Sequence, residues 1–386
     1  MSSGTLILGV LNGLITGLLA VGLVLVYKAN RFLNLAHAQL GTMSALLLKK
    51  FVQDWGWDWW IAFAAAIAVG VATGIGVERF IVGPLRRRTR SPIALLLLTL
   101  GVSQLLLAFT YFPVLQAKAS STNTAYPEPF DATLRVGGVV LTGTSILTAL
   151  LGPVLVVGLA VFMRHTSLGK DIRAAANNPD AARLCGISVR RVSAVTWALA
   201  GGFSAISAVL AAPTQASFNV GALGPFLLML TLGAAAFGAF VSIPGALIGG
   251  LLLGLVGQIV TAATSNATDS EVALFLVILA IVLIRGRRIG QVFELSGGST
   301  DGVPATRVPP SLAHSPIVRY QRVAVAAGAL LLGVVWPQLP YFNTAGHAFL
   351  LSLLMLYATL GVALTMVLGW GGQVSLGHFA VVGLGA

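Results

Sequence analysis

Apolar stretches of about 18–24 residues recur along the whole chain, and each is long enough to cross a hydrocarbon layer of roughly 30 Å. A backbone in that layer must satisfy its own hydrogen bonds, which an α-helix does. The pattern therefore predicts an all-α fold, a polytopic transmembrane helical bundle. The expected membrane segments are 5–27, 33–50, 59–82, 93–112, 140–163, 192–212, 223–241, 243–262, 271–285, 323–343, 345–368 and 374–386.

Composition agrees with a membrane protein. The chain is 57% hydrophobic and 9% charged, with a mean hydropathy of +0.93, which excludes an ordinary soluble domain. About nine segments fall in the first half, and the first two or three of a second repeat follow. Segment 271–285 is short, and we expect it to be tilted or re-entrant. No basic region precedes the first segment, so it is expected to be a span rather than a cleaved signal peptide.

One polar pattern occurs twice. Asn34-Leu-Ala-His37 near the start matches Ser375-Leu-Gly-His378 at the other end, and the two histidines are 341 positions apart. Apolar residues that precede each copy match at the same offset. Such an internal repeat in a membrane chain indicates two related halves and favours a transporter.

The repeat and the loops predict three parts. Residues 1–290 form a first compact membrane unit. Residues 291–320 form a cytoplasmic linker rich in Gly, Ser and Pro, a composition that cannot bury much apolar area. Residues 321–386 begin a second unit. The sequence stops inside an expected helix, so we expect a truncated form of a longer protein or a fragment of one.

Positive charge is distributed unevenly. Of the 23 Lys and Arg residues, 19 fall on one side of the expected membrane topology and four on the other. The crowded side is therefore expected to be cytoplasmic and the N-terminus external. This topology also accounts for the arginine cluster at 86–90, although binding of a specific anionic partner is an alternative. The uneven distribution of Lys and Arg explains the net charge of +12 without a nucleic-acid partner.

The loop at 164–191 carries strong helix signals. Asn178 is a good N-cap, Pro179 suits the first helical position, and Asp180 complements the positive helix end. Gly186 suits the left-handed residue after the last turn, and a second helix is expected at 169–177. The short helix could be a plain solvated loop helix. Alternatively, the small Ala181 and Ala182 let a partner surface approach closely.

The paired histidines allow two interpretations. Asn34 and Ser375 are good N-caps, which would place each histidine at the third helical position. There His37 and His378 could satisfy local backbone groups, as Gln does in a capping box. Alternatively, a broken helix lines the substrate route. The candidate translocation-path residues are Asn34, His37, Gln39, Ser375 and His378.

Enzyme motifs are missing from the sequence. A Gly-x-x-x-x-Gly-Lys-Ser/Thr phosphate loop does not occur, and neither do His-Glu-x-x-His, Gly-x-Ser-x-Gly or paired cysteines. The centre of each expected span lacks an obvious Asp, Glu, Lys or Arg. Proton- or sodium-coupled carriers usually need intramembrane carboxylates or broken helices that bind ions. The chain is therefore expected not to be an enzyme, and to draw its energy from elsewhere.

Residues 180–186, Asp-Ala-Ala-Arg-Leu-Cys-Gly, resemble the Glu-Ala-Ala-x-x-x-Gly signature of ATP-binding-cassette importer permeases. Asp replaces Glu, and the downstream Ile-x-Leu-Pro of that family is not evident. Residues 1–290, including 32–41 and 167–187, resemble one permease subunit of branched-chain amino-acid importers. Residues 321–386, including 369–378, resemble the start of the sister subunit. The chain thus resembles a fusion of both subunits, truncated early in the second and lacking its second coupling loop.

The resemblance implies a transmembrane permease subunit that moves branched-chain or related amino acids across the bacterial inner membrane. It implies separate cytoplasmic ATPase subunits that bind ATP and Mg, an external amino-acid-binding protein, and a second permease chain as a further candidate partner. No cofactor, metal or catalytic residue is expected in this chain. The implied ATPase-coupling helix comprises Asn178, Pro179, Asp180, Ala181, Ala182, Arg183, Gly186 and Ile187.

Other functions stay open at this point. A stand-alone secondary transporter or channel with internal repeats would transport without an ATPase. A membrane scaffold without transport activity is another alternative, but it would not explain the internal repeat. Relatives that carry urea or short amides share these motifs, so the sequence does not select among these substrates.

Overall fold

The structure is a computed structural model that describes residues 3–88, 92–112, 115, 125–214 and 218–294, and in the C-terminal part 320, 323, 327–328, 330–331 and 344–366. The chain divides into two compact units, Met1–Gly298 and Ser299–Ala386. The division into 1–290, a linker at 291–320 and 321–386 stays a prediction, since most of the linker lies outside the described residues.

Helices make up most of the first unit. They are α1 Ser3–Asn30, α2 His37–Gln53, α3 Trp59–Gly76, α4 Gly83–Arg88, α5 Pro92–Thr110, α6 Gly143–His165, α7 Ser167–Asn177, α8 Pro179–Leu184, α9 Val189–Ala211, α10 Val220–Phe237, α11 Ile243–Thr264 and α12 Ala267–Glu294. A π-helical segment, Val77–Val82, joins α3 to α4, and a 3₁₀ turn, Ala212–Thr214, follows α9. An antiparallel hairpin pairs β1 Leu134–Val136 with β2 Val139–Leu141.

The predicted fold class is confirmed. Among the described residues, six helices are long and apolar enough to cross a membrane: Ser3–Asn30, Trp59–Arg88, Gly143–His165, Val189–Thr214, Val220–Phe237 and Ile243–Thr264. The expected total of segments stays a prediction. In the second unit, α13 Ala345–Thr365 lies within expected segment 345–368.

Segment 271–285 was bounded wrongly. The structure has a 28-residue helix there, α12, which spans Ala267–Glu294. A helix of that length rises about 42 Å, more than a hydrocarbon layer requires. Arg285, Arg287 and Arg288 extend the helix rather than end it, because charged residues are good helix formers in water.

Helix α1 is the central helix of the first unit, and most of its residues from Ile15 to Tyr27 are fully buried. Helix α6 is different, because it exposes an apolar stripe at helical spacing. The stripe consists of Leu150, Val154, Val157 and Val161. An exposed stripe of that kind on a membrane helix is a lipid-facing surface, whereas α1 packs against protein on all sides.

Glycine ridges bring α1 and α11 into close contact. A Cβ on Gly254 would lie 2.2 Å from the backbone nitrogen of Gly13, and one on Gly250 would lie 2.4 Å from the Cα of Gly17. Backbone therefore packs directly on backbone across this pair. Close approach of this kind is how membrane helices gain van der Waals energy without a hydrophobic driving force.

Candidate functional site

Helices α7 and α8 both begin at side-chain caps. The hydroxyl of Thr166 accepts a hydrogen bond from the N–H of Gly169 at 3.0 Å. The Oδ1 of Asn178 accepts from the N–H groups of Asp180 and Ala181, both at 3.0 Å. Pro179 occupies the first turn, where its missing N–H costs nothing. These caps explain why a polar loop forms two ordered helices.

The end of α8 is closed by a Schellman motif. Gly186 has φ 80°, and its N–H donates to the carbonyl of Arg183 at 3.0 Å. The N–H of Ile187 donates to the carbonyl of Ala182 at 2.9 Å. A positive φ is inexpensive only for glycine, so Gly186 fixes this stop. Helix α8 is thus closed at both ends, which makes it a stiff unit despite its six residues.

Ala182 anchors α8 to the membrane domain. Its side chain is 3% exposed and shares a buried apolar cluster with Ile172 of α7 and Val192 of α9, and Ile187 packs against the same cluster. The expectation that Ala182 presents a small surface to a partner is therefore wrong, because this face of α8 is turned inward. Ala181 is exposed, as expected.

The opposite face of α8 is exposed, and we call Asp180, Ala181, Arg183 and Leu184 the α8 outer face. Leu184 is 91% exposed, which is unusual for a leucine on a short ordered helix. The sequence analysis did not select it. The sequence signal that could have identified Leu184 is its position, one residue before the C-cap of a short helix whose two ends are fixed by caps. Asp180 and Arg183 form an exposed ion pair at 2.8 Å, which contributes little to stability.

Arg31 connects the end of α1 to α7. It adopts φ 61°, the left-handed region that side chains other than glycine rarely occupy. Its N–H donates to the carbonyl of Tyr27 at 2.7 Å, which ends α1. Its guanidinium Nη2 donates to the carbonyl of Ala176 in the last turn of α7. Because its backbone is strained and its side chain bonds a distant helix, Arg31 is a candidate for transmitting motion between α7 and α1.

Asn30, the last residue of α1, bonds two other elements at the same place. Its Oδ1 accepts a hydrogen bond from Nη1 of Arg86 on α4 and another, at 2.8 Å, from the hydroxyl of Ser193 on α9. Its Nδ2 donates to the carbonyl of Val26 at 3.3 Å. The last residue of α1 and Arg31 thus tie together α1, α4, α7 and α9.

A buried, non-helical segment follows directly. The segment 32–36 is buried throughout, and Asn34 is 0% exposed. The Oδ1 of Asn34 accepts from the N–H of Ala36 at 3.1 Å, which is an Asx turn. Helix α2 begins only at His37, so the expectation that His37 is the third helical residue is wrong. Irregular backbone at membrane depth is stable only inside protein or beside a water-filled path.

The ring of His37 bonds a different helix. Its Nε2 lies 2.8 Å from the carbonyl oxygen of Leu19 on α1, and its own carbonyl accepts a hydrogen bond from the hydroxyl of Ser204 on α9. The local capping-box interpretation of His37 is therefore wrong, since the ring reaches across to α1. His37 is 0% exposed and holds α1, α2 and α9 together.

Three polar atoms in this segment have no hydrogen-bond partner among the described residues. They are Nδ2 of Asn34, Nδ1 of His37 and Nε2 of Gln39. Unpartnered buried polar atoms are costly, and a group of them within six positions calls for an explanation. Ser375 and His378 lie outside the described residues, so their role in a translocation path stays a prediction.

Six long apolar helices with a capped helix pair between two of them define a multi-pass membrane protein. The family model described as the permease component of the branched-chain amino acid transport system matches residues 5–284. The chain belongs to this family, whose members are permeases of ATP-binding-cassette importers.

Several curated relatives align over most of their length. The chain is 28% identical to the high-affinity branched-chain amino acid transport system permease protein LivH of Escherichia coli K12, over 73% of this chain and 94% of that protein. It is 29% identical to BraD of Pseudomonas aeruginosa, which bears the same description, over 71% and 92%. A probable branched-chain permease, LivH of Methanocaldococcus jannaschii, is 25% identical over 69% and 84%.

The predicted family is therefore confirmed, and the stand-alone transporter alternative is not favoured. Permeases of this importer class work with ATPase subunits and a binding protein as a class property. Both LivH and BraD are described as transport system permease proteins. The fusion of two sister subunits stays a prediction, because the family match ends at residue 284.

Proposed function

We propose that this chain moves branched-chain or related amino acids across the bacterial inner membrane, using ATP that separate subunits hydrolyse. An external binding protein delivers the substrate, and the N-terminus lies outside. Family membership and the names of LivH and BraD support the substrate class. The excess of Lys and Arg on one side supports the orientation. The chain itself performs no catalytic step, and ATP and Mg bind to the partner subunits.

The construction of α8 is the observation that carries this proposal. The helix is capped by Asn178, closed by Gly186 and anchored through Ala182, yet it exposes Leu184 almost completely. A force applied to the α8 outer face would move a stiff element rather than bend a loop. We assign the ATPase-coupling role to Asn178–Ile187, with Leu184 added as the apolar side chain that enters a groove of the ATPase subunit.

Arg31 supplies the route from α7–α8 to the membrane interior. It bonds Ala176 at the end of α7 and directly precedes the buried segment 32–36. A displacement of the helix pair would therefore pull on the backbone that carries Asn34 and His37. A direct bond of this kind gives rigid-body motion of the helix pair a physical connection to the membrane interior.

The same segment is the proposed substrate path. An amino acid presents an ammonium group, a carboxylate and an apolar side chain. The free amide of Gln39 and the free Nδ1 of His37 can bond the polar groups, while apolar helices line the remainder. A path-lining role for Ser375 and His378 is proposed from the sequence repeat alone.

Reconstitution tests the coupling assignment. The permease is reconstituted with its ATPase subunits, and retention of the ATPase after solubilisation is measured for the double variant Asp180→Ala and Gly186→Ala. Retention should fall at least tenfold. The matched control changes the same residue types in the hairpin region, Asp131→Ala and Gly138→Ala, because Gly138 also has a positive φ of 83°. Unchanged retention in the first variant would remove the assignment.

Substrate choice is tested separately. ATP-driven uptake of labelled leucine should be competed by isoleucine and valine but not by urea at the same concentration. Preferential uptake of urea would keep the importer class and contradict the amino-acid assignment.

A further inference from the structure

A cavity of about 1260 Å³ opens beside α8, between the end of α1, the π-helical segment with α4, and the turn that leads into α9. Arginine dominates its lining: the seven are Arg31, Arg79, Arg86, Arg87, Arg88, Arg183 and Arg190. Its two acidic residues are Glu78 and Asp180. The retention of Lys and Arg on the cytoplasmic side explains positive charge on this side of the membrane. It does not explain why seven guanidinium groups share one concave site.

The cavity's own acids leave most of this charge unneutralised. Among the described residues, the only ion pair in the cavity joins Asp180 to Arg183. Arg31 and Arg86 donate to the neutral acceptors Ala176 and Asn30, and Glu78 attracts Arg86 electrostatically, but two carboxylates are set against seven guanidinium groups. Like charges held together in a concave surface raise the local potential and attract an anion.

The remaining guanidinium groups are exposed at the rim, on Arg79, Arg87, Arg88 and Arg190. Guanidinium binds the oxygens of a carboxylate or a phosphate in a planar, two-pronged geometry, and a phosphate group offers more oxygens for several guanidinium groups to share.

A second groove of about 380 Å³ continues from this cavity along the helices. The two share Glu78, Arg79, Ser188 and Arg190, and the groove also contains the apolar Ile75 and Ala194. Ile75 is 36% exposed, and Phe80, next to Arg79 in the chain, is 76% exposed. Cationic and apolar side chains therefore lie next to each other on one outer surface of a membrane helix. A lipid would need this arrangement, with cationic side chains for its headgroup and apolar side chains for its acyl chains.

We propose that the cavity binds the phosphate headgroup of an anionic phospholipid, and that the acyl chains lie along Ile75 and Phe80. Arg79 and Arg190 line both spaces and hold the phosphodiester, while the 86–88 arginines supply the surrounding field. A free phosphate offers the same headgroup chemistry without the chains. The neighbouring apolar groove favours the lipid.

The location gives the lipid a regulatory position, which rests on the proposed coupling function. Pro179, Asp180, Arg183 and Gly186 of the α8 region line the same cavity. A bound headgroup would bridge the membrane helix end and α8, so that coupled transport would require anionic lipid. The binding itself does not depend on that role.

Lipid titration of the purified full chain tests the proposal. Binding of phosphatidylglycerol and of phosphatidylcholine is measured by native mass spectrometry in detergent. The double variant Arg79→Gln and Arg190→Gln should bind phosphatidylglycerol about 30-fold more weakly, since each cation near a membrane surface attracts anionic lipid. The matched control, Arg287→Gln and Arg288→Gln, removes the same charge on α12 outside the cavity and should change binding less than twofold. Arg79→Lys with Arg190→Lys keeps the charge but loses the two-pronged geometry, so it should restore only part of the affinity, which a mere loss of folding would not allow.

The outcomes are distinguishable. Equal binding of both lipids, or an equal loss in the α12 control, would overturn the site. Competition by inorganic phosphate or glycerol phosphate at the lipid's own concentration would overturn the lipid assignment and assign the cavity to a free anion. If binding holds but ATP-driven uptake is insensitive to phosphatidylglycerol, the regulatory role fails while the site stands.

Discussion

The close contact between α1 and α11 allows a quantitative prediction for Gly254→Ala. The new Cβ would lie 2.2 Å from the nitrogen and 2.4 Å from the Cα of Gly13, and both are backbone atoms that cannot rotate away. Ordinary contacts begin at 3.4 Å, so the helices must separate by about 1.2 Å at this point. Separation of the pair weakens every dispersion contact along the glycine ridge.

The free-energy cost follows from two opposed terms. Overpacking typically costs about 1–3 kcal/mol, and a backbone–backbone overlap belongs at the upper end, about 3 kcal/mol. Alanine in a helix interior recovers up to about 1 kcal/mol relative to glycine. The net destabilisation is therefore about 2 kcal/mol, which corresponds to a fall of about 4 °C in the unfolding midpoint for a unit of this size.

Thermal unfolding in detergent measures this effect, with Gly158→Ala as the control. Gly158 lies on α6, and no atom lies within 4 Å of its Cβ position, so the same substitution should leave the midpoint unchanged or raise it. Equal midpoints for Gly254→Ala and Gly158→Ala would refute the reasoning about close helix packing.

Three further substitutions separate the proposed roles. Arg31→Gly keeps the left-handed backbone without strain but removes the bond to Ala176. ATP-driven uptake should therefore fall at least tenfold, while the midpoint of thermal unfolding stays within a few degrees. Uptake equal to that of the α7 control Arg173→Met would contradict the proposed linkage. Leu184→Ser should weaken ATPase retention about tenfold, a loss of about 1.4 kcal/mol, without changing stability, because the side chain is 91% exposed; normal retention in pull-down would contradict its docking role. Gln39→Leu removes a buried amide nitrogen that has no partner among the described residues, so the variant should keep or raise stability yet lower uptake. A clear fall in the unfolding midpoint would favour a purely structural role.

The cap residues show what local sequence could predict. Asn178 and Gly186 were correctly placed because caps depend on the chemistry of a few consecutive residues. The all-α class followed from apolar length alone. The same reasoning failed for α12, since Arg285, Arg287 and Arg288 end an apolar run without ending a helix.

Other features depend on contacts that no local pattern contains. The ring of His37 bonds Leu19, 18 positions earlier, and Arg31 bonds Ala176, 145 positions later. The inward orientation of Ala182 depends on how α8 packs against α7 and α9, which also leaves Leu184 outside. Side chains on a short helix can face either way until its packing partners are known, so these assignments needed the structure.

The central claim is that transport requires an ATPase acting through α8. Leucine uptake into proteoliposomes tests it most directly, with the permease assembled with its ATPase subunits and binding protein, and in parallel with the permease alone. We expect the assembled transporter to take up leucine only when ATP is present, and the permease alone to take up none. Leucine accumulation by the permease alone, without ATP, would contradict it.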